Sequence, residues 1–357
     1  MADDFKYHID HHARLIPPIE LTEARAAVAR GDASEAALLA AEDAAVTATL
    51  LAQRRLALLA LSDGEYRRPH RLSVLYNGVD GFIEQPVAGG ALGQLLGPDL
   101  LPERRTLVGA PAARGRLTKH ETDSMLAGTQ RSTMLTLPAP GFVAELATTE
   151  GETPSTGAEL ASLIRDEVAA VAADGVLYVL LTNPLYGFLL SASGRQRAAA
   201  LGLDAAAVLR RMVAVDTEVL DGLETPENFR IGLDLTTGGA AIDESGYDHA
   251  DLGWFVENQP FDRLCVEHPT AARFPLELLL GGTVVSLGLV DVANPTMESV
   301  HDVVARVDEA ATILDIDDIA ISTNGGFKPG VGLGEAEQRG KLQLVEMAAR
   351  YFWGNEL

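Results

Sequence analysis

One cysteine, Cys265, stands in 357 residues. That excludes an internal disulfide and any metal site built on two or more thiolates. Positive charge is also scarce: 28 Lys and Arg against 51 Asp and Glu give a formal net charge of −23. Such a chain repels phosphate backbones and anionic lipid surfaces, so nucleic-acid and membrane partners have no electrostatic support. No run of about 18 apolar residues is present to span a bilayer, and the opening MADDFKYHIDHHARL lacks the apolar stretch of a signal peptide. The expectation is a cytoplasmic protein with a small-molecule substrate, with homo-oligomerisation left open. Gly and Pro show no strict period, and neither G-x-G-x-x-G nor G-x-x-x-x-G-K-[ST] falls at a strand-to-helix turn. Collagen-like and phosphate-loop architectures are thereby out.

What is present is ordinary globular composition, 47% hydrophobic and 22% charged. Residues 5–12 alternate and predict a short strand. Residues 22–60 carry helical spacing, broken at Gly31-Asp32, where Asp32 is the expected N-cap of the second helix. After a turn at 62–68 comes an irregular excursion, about 69–120, with strand-like pieces at 72–76 and 106–109. Strand-like runs then recur at 132–137, 176–182, 230–236, 263–267, 284–290 and 317–322. Helical runs at 156–173, 192–221, 247–257 and 297–313 fall between them, and a last helix runs about 335–353. Alternation of strand and helix implies parallel pairing. Adding strands near 7–12 and 58–62 brings the count to eight, which predicts an α/β fold, a (β/α)8 TIM barrel in one domain over 1–357. Its site would lie at the C-terminal strand ends; an open doubly wound sheet is the alternative.

Those strand ends carry polar clusters. They are Asp63-Gly64-Glu65, Leu137-Pro138-Ala139-Pro140, Thr182-Asn183-Pro184, Asp234 to Gly239, Val266-Glu267-His268-Pro269, Gly288-Leu289-Val290-Asp291, and Ser322 to Lys328. In this order, with the opening Leu15 to Leu21 and the ending Lys341 to Gly354, they resemble the catalytic barrel of the cobalamin-independent methionine synthase family, in its short single-barrel members. The resemblance covers nearly the whole chain. It implies a zinc ion that activates a thiol for methyl transfer from a folate, with ligands from His-x-Cys, Glu and Cys on strands five, six and eight. Matched position by position, Asp234 stands at the His, Thr236 at the first Cys and Gly325 at the second; only Glu267 agrees. Thr182-Asn183-Pro184 replaces an Asp-Glu-Pro that helps hold the amino acid substrate, and Ala293 replaces a His. Glu65 matches a substrate-binding carboxylate. The inherited zinc site is expected to be absent.

The first strand, His8-Ile9-Asp10-His11-His12-Ala13-Arg14, offers other chemistry. With a period of two, His8, Asp10, His12 and Arg14 share one face, and Ile9, His11 and Ala13 the other. Three readings stand: a solvated tail, a substrate-contacting face, or a non-thiolate divalent-metal site of His8, Asp10, His12 and Glu267, with Asp234 and His268 available to complete it. The expected catalytic set is His12 as general base or ligand, with Glu65, Asp234 and Asp291. Arg14 would bind an anion, and Asp63, Asn183, Thr236 and Asn324 would contact substrate; Asp63 and Glu65 also suit a structural turn. Glu267 faces the pocket or else pairs with Arg273. Arg67, Arg68, Arg71 and Arg116 are available to supply the positive charge that an acidic chain needs around an anionic ligand, or else neutralise nearby acids. Cys265 is read as a buried thiol and His249 as surface. The leading expectation is a diverged barrel enzyme acting on a small polar, carboxylate-bearing substrate. The alternatives are a methyl or alkyl transferase with a different ligand set, and an inactive binding subunit.

Overall fold

The computed structural model describes residues 8–86, 88–147, 155–279, 281–328 and 332–354. Its centre is a curled sheet of seven parallel strands, in the order β1, β9, β8, β7, β6, β5, β4. These are β1 (Ile9–Asp10), β4 (Met134–Pro138), β5 (Tyr178–Thr182), β6 (Arg230–Asp234), β7 (Arg263–Glu267), β8 (Val284–Val290) and β9 (Ile319–Thr323). Every residue of β4, β5, β7 and β9 is buried. Burial on both faces is why these segments read as continuous apolar runs rather than alternating ones. Helices cover the outer face, among them Ser155–Asp174, Ala205–Thr217, His249–Asn258, Val300–Ala310 and Glu335–Trp353.

The sheet is a half-barrel in its hydrogen bonding, not the closed eight-stranded ring expected. The segment around 58–62 contributes one bridge, Leu61 to Thr133 beside β4. On its other side no ladder joins it to β1. His11 Nε2 donates to the Ala60 carbonyl at 2.8 Å, Ser62 Oγ donates to the Ala13 carbonyl at 2.7 Å, and the Leu15 N–H donates to the Gly64 carbonyl. The cause is local. His12 and Ala13 both have left-handed backbones, φ +56° and +59°, so the extended strand stops after Asp10.

Other boundaries move for identifiable reasons. The first two helices are Ile19–Ala29 and Glu35–Arg55; Ser34, not Asp32, caps the second, while Asp32 is held by Arg30. The expected helix 192–221 is two, Ala192–Ala200 and Ala205–Thr217, capped by Ser191 and Asp204 and preceded by a further helix, Pro184–Leu190. In the excursion, 72–76 is not a strand but lies largely in helix Ser73–Gly78. It leads into β2 (Val79–Glu84), which pairs antiparallel with β3 (Arg105–Ala113). Tyr76, Val79, Phe82, Leu95 and Leu107 from this excursion belong to the same buried apolar cluster as the helices around the sheet.

Candidate active site

Beneath the C-terminal strand ends the sheet interior is sealed by a buried ion pair. Arg263, at the start of β7, donates to Asp10 Oδ2 at 2.5 Å and lies over the Tyr178 ring. Cys265 Sγ is 3.7 Å from the same oxygen, and burial, with Asp10 next, pushes its thiol well up. Asp10 is thus committed below the mouth rather than offered to a ligand.

At the mouth, the left-handed turn after β1 aims His12 at the end of β6. Its Nδ1 is 3.2 Å from Asp234 Oδ2, and its Nε2 is 2.8 Å from the Thr323 carbonyl. Both ring nitrogens face oxygens that only accept, an arrangement that favours the doubly protonated ring. Burial opposes that charge, but Asp234 and Asp10 raise the imidazole above its ordinary value. Asp234 is correspondingly held down, against burial, by His12, and then by Arg71 and Thr236. Its other oxygen accepts from the Thr236 N–H and hydroxyl at 2.8 and 2.6 Å. Neither nitrogen of His12 is left for the general-base or metal-ligand role expected of it.

The second strand segment ends in another left-handed turn, Gly64-Glu65, where Glu65 has φ +55°. Asp63 Oδ1 accepts the Glu65 N–H at 2.9 Å and so braces this turn. Burial and Glu121 push the Asp63 carboxyl up to about 7. Glu65 accepts from the Thr136 hydroxyl, with Arg14 at 3.5 Å and Arg68 at 3.7 Å. Burial opposes its charge, but Arg68, Arg14 and Arg71 hold it below the ordinary range. Arg68 itself is spent on Glu121, to which it donates through Nε and Nη2. Three of the four non-glycine residues with positive φ, among those described, lie in these two turns. Strained backbone concentrated at strand ends marks positions held for a purpose.

Glu267 completes the floor. The Thr237 N–H and hydroxyl donate to its Oε1 at 2.6 and 2.5 Å, and the Gly239 N–H to its Oε2 at 3.1 Å. Burial pushes it up to about 7 despite these donors. The loop after β6 is tied to its neighbours: Gly238 N–H donates to the Asn324 carbonyl, and Asn324 Nδ2 to Asp291 Oδ1 at 3.0 Å. A Cβ on Gly325 would sit 3.4 Å from Thr236 Oγ1. The four positions matched to zinc ligands, Asp234, Thr236, Glu267 and Gly325, therefore lie together. Their donors do not fit a zinc–thiolate centre: there is no sulfur, and Asp234 Oδ1 and Glu267 Oε1 each already accept two hydrogen bonds from neighbouring N–H and hydroxyl groups.

Several expected assignments are corrected. His8, Asp10, His12 and Glu267 do not converge, and among the described residues no three His, Cys, Asp or Glu side chains form a metal-binding group. His8 stacks on Trp353 of the last helix, ring centroids 4.2 Å apart, and reaches the Ile319 carbonyl. His268 accepts the Phe274 N–H on Nδ1, and burial pushes it down to about 3. Arg273 pairs with Glu309, not Glu267. Asn183 caps helix Pro184–Leu190 with its amide oxygen and donates its amide N–H to Met212 Sδ. Asp291 accepts from Asn324 and the Ala293 N–H, a tie between loops. Arg116 bridges Glu167 and Asp174. Two residues without an assigned role join the site: Thr136, which no motif marks, and Lys328, the only lysine in the Gly-rich run that follows β9.

The sequence matches no protein-family model and no curated protein. Solved structures do match its fold. A candidate vitamin-B12-independent methionine synthase from Listeria monocytogenes superposes with TM-score 0.76 at 18% identity, covering 98% of each chain. A B12-independent methionine synthase from Shewanella sp. W3-18-1, solved with selenomethionine, gives 0.69 at 17% identity, again over 98% of each. A methyltransferase from Methanosarcina mazei gives 0.51 at 14%, over 98% of this chain and 95% of that one. The chain therefore shares the fold of cobalamin-independent methionine-synthase-like proteins.

Proposed function

We propose that this chain is a diverged enzyme on the methionine-synthase-like fold, acting on a small polar, carboxylate-bearing substrate by proton transfer rather than zinc–thiolate methyl transfer. The observation that carries the reading is the replacement of the ligand set: where a thiolate centre would sit, an ion pair of His12 and Asp234 stands beside a proton-sharing carboxyl, Glu267. Arg14, partly exposed and only loosely engaged by Glu65, binds the substrate carboxylate. His12, held as imidazolium between Asp234 and Thr323, supplies a fixed positive charge. Glu267 moves the proton. Its Oε1 is filled by two donors, while Oε2 has one and keeps a lone pair free; an acid that titrates near 7 suits both giving and taking a proton at neutral pH.

The test screens small amino, hydroxy and keto acids for turnover by proton NMR. Glu267→Gln should lower kcat by about 100-fold or more and remove the limb near pH 7 from the rate profile. Arg14→Met should raise KM. Full activity in Glu267→Gln would refute the assignment. A second reading, methyl or alkyl transfer with a different ligand set, draws on the neighbours described as methionine synthases and a methyltransferase. Methylation of homocysteine from methyl-folate by the purified protein would establish it instead; the expected result is none.

A further inference from the structure

Two cations at the mouth have no carboxylate within ion-pair distance among the described residues. His12 is matched by Asp234, Arg68 by Glu121, and Arg14 leans on Glu65. Arg71 is half-buried, its Nη1 is sealed from water, and among the described residues it has no hydrogen-bond or ion-pair partner. Lys328 is likewise half-buried, and among the described residues its Nζ donates only to the Thr237 carbonyl, at 3.4 Å. Both lie beside Arg14, whose Nη2 donates to the Pro69 carbonyl at 3.2 Å, two residues before Arg71. Phe327 N–H donates to the Arg14 carbonyl at 3.0 Å, and a Cβ on Gly326 would come 2.8 Å from Arg14 Cβ, so the loop bearing Lys328 lies directly on Arg14. Burial, then Arg71 and Arg14, push the Lys328 amine down to about 8. Burial, and after it Arg71 and Arg68, likewise disfavour the charge on Arg14, which Glu65 favours.

Like charges crowded in a half-buried mouth repel one another, and they do so here in a chain of net charge −23 with ample acid elsewhere to pair them. A carboxyl group on a neighbouring loop would relieve the repulsion permanently. Instead Arg71 and Lys328 feel Glu65, Asp234 and Glu267 only at a distance and pair with none of them, the electrostatic form of a vacant anion seat.

We propose that Arg71 and Lys328, beside Arg14, form a subsite for a second negative charge, so that the ligand of this mouth is a small dianion, a dicarboxylate or a phosphate ester. This rests on the reading above that the mouth takes a small acid. Arg14 takes the first anionic group; Arg71 and Lys328 take the second. Arg71, with its planar fork, fixes orientation, and Lys328 adds a point charge.

The test is isothermal titration of the intact protein with acetate, succinate and inorganic phosphate at one ionic strength. Wild type should bind succinate or phosphate about tenfold or more tighter than acetate, the value of one added charge-assisted hydrogen bond. Arg71→Met and Lys328→Met should each remove most of that preference and leave acetate unchanged. Arg14→Met should weaken all three ligands. Arg114→Ala, in an exposed pair with Asp80, should change nothing. Preference for succinate alone identifies a dicarboxylate, and for phosphate alone a phosphate ester. Arg14-dependent acetate binding with no gain for either dianion would overturn this subsite and leave the carboxylate reading standing. Binding of none of the three by wild type would overturn both, as would dianion binding indifferent to all three mouth substitutions.

Discussion

Removing one partner of the His12–Asp234 pair should cost very different amounts depending on which partner goes. The pair is fully enclosed, with both side chains at 0% exposure. His12→Ala leaves the Asp234 carboxylate buried with only the Thr236 donors on Oδ1 and nothing charged on Oδ2. An abandoned buried charge costs about 3–5 kcal/mol. Asp234→Asn is milder, because His12 can shed its Nδ1 proton, keep Nε2–H on Thr323, and accept from the new amide. Thr236 still finds an oxygen acceptor. What is lost is the charge term of one hydrogen bond, about 1–2 kcal/mol. Urea midpoints with a common m-value give both numbers. The pH window follows from the shifts. His12 is raised, so its contribution is full below its ordinary value, about 6.5, and fades as pH climbs through the raised one. Asp234 is lowered, so its contribution is full above about 3.9 and fades as pH falls through the lowered one. Between these limits His12→Ala should show its largest deficit. Nitrogen NMR of the ring should report a doubly protonated imidazole in wild type at pH 7 and the Nε2–H tautomer in Asp234→Asn. Equal losses for the two substitutions, or a wild-type His12 that is neutral at pH 7, would refute the reasoning.

Asp216 accepts the Gly141 N–H and the Tyr186 hydroxyl, and burial pushes its carboxyl up to about 7. Such an acid loses stability as pH rises from its unfolded value through 7, so Asp216→Asn should be near-neutral below about pH 4 and, at ~1.4 kcal/mol per pKa unit, stabilising by about 1.5 kcal/mol at pH 5 and about 4 at pH 8; urea midpoints at pH 4 and pH 8 that fail to diverge would count against it. Ser62→Ala removes the hydroxyl that links Ala13 to the Gly64 turn and should cost about 1–2 kcal/mol while weakening ligand binding through the Glu65 turn; a substitution silent in both melting and titration would show the link to be idle. Cys265, buried with a raised thiol, should resist a thiol-specific reagent until the protein unfolds, and rapid labelling of the native protein would contradict its placement below the mouth.

The parallel strands were legible because burial on both faces leaves a continuous apolar run, as in Leu135, Leu137, Val179, Leu181, Ile319 and Ile321. Strand-end position likewise pointed to Glu65, Asp234 and Glu267. What escaped the sequence is backbone reversal. Period-two reasoning put His8, Asp10, His12 and Arg14 on one face, but the left-handed turn at His12 and Ala13 ends the alternation, and neither residue type announces that conformation. The eighth strand failed for the same reason: once the chain turns at His12, Ala60 and Ser62 can be reached only by side chains. The occupancy of each carboxylate was also illegible. Whether Glu267 is free or saturated depends on N–H groups of a loop thirty residues away in sequence, a matter of loop path rather than composition.

The pairing of β1 with β9, Ile9 beside Ile321, has a consequence for synthesis. The first strand of the sheet finds its backbone partner only when the last has left the ribosome, so it must wait while every residue between Asp10 and Ile319 is made, with its hydrogen-bonding groups unpaired. An apolar strand in that position would be an aggregation hazard throughout the wait. This one reads His8-Ile9-Asp10-His11-His12, with a single large apolar side chain, and stays wettable until Trp353 arrives to stack on His8 and Arg263 is in place to take Asp10. The polar residues that look like a ligand set in the sequence thus also let the strand remain soluble until the sheet can receive it.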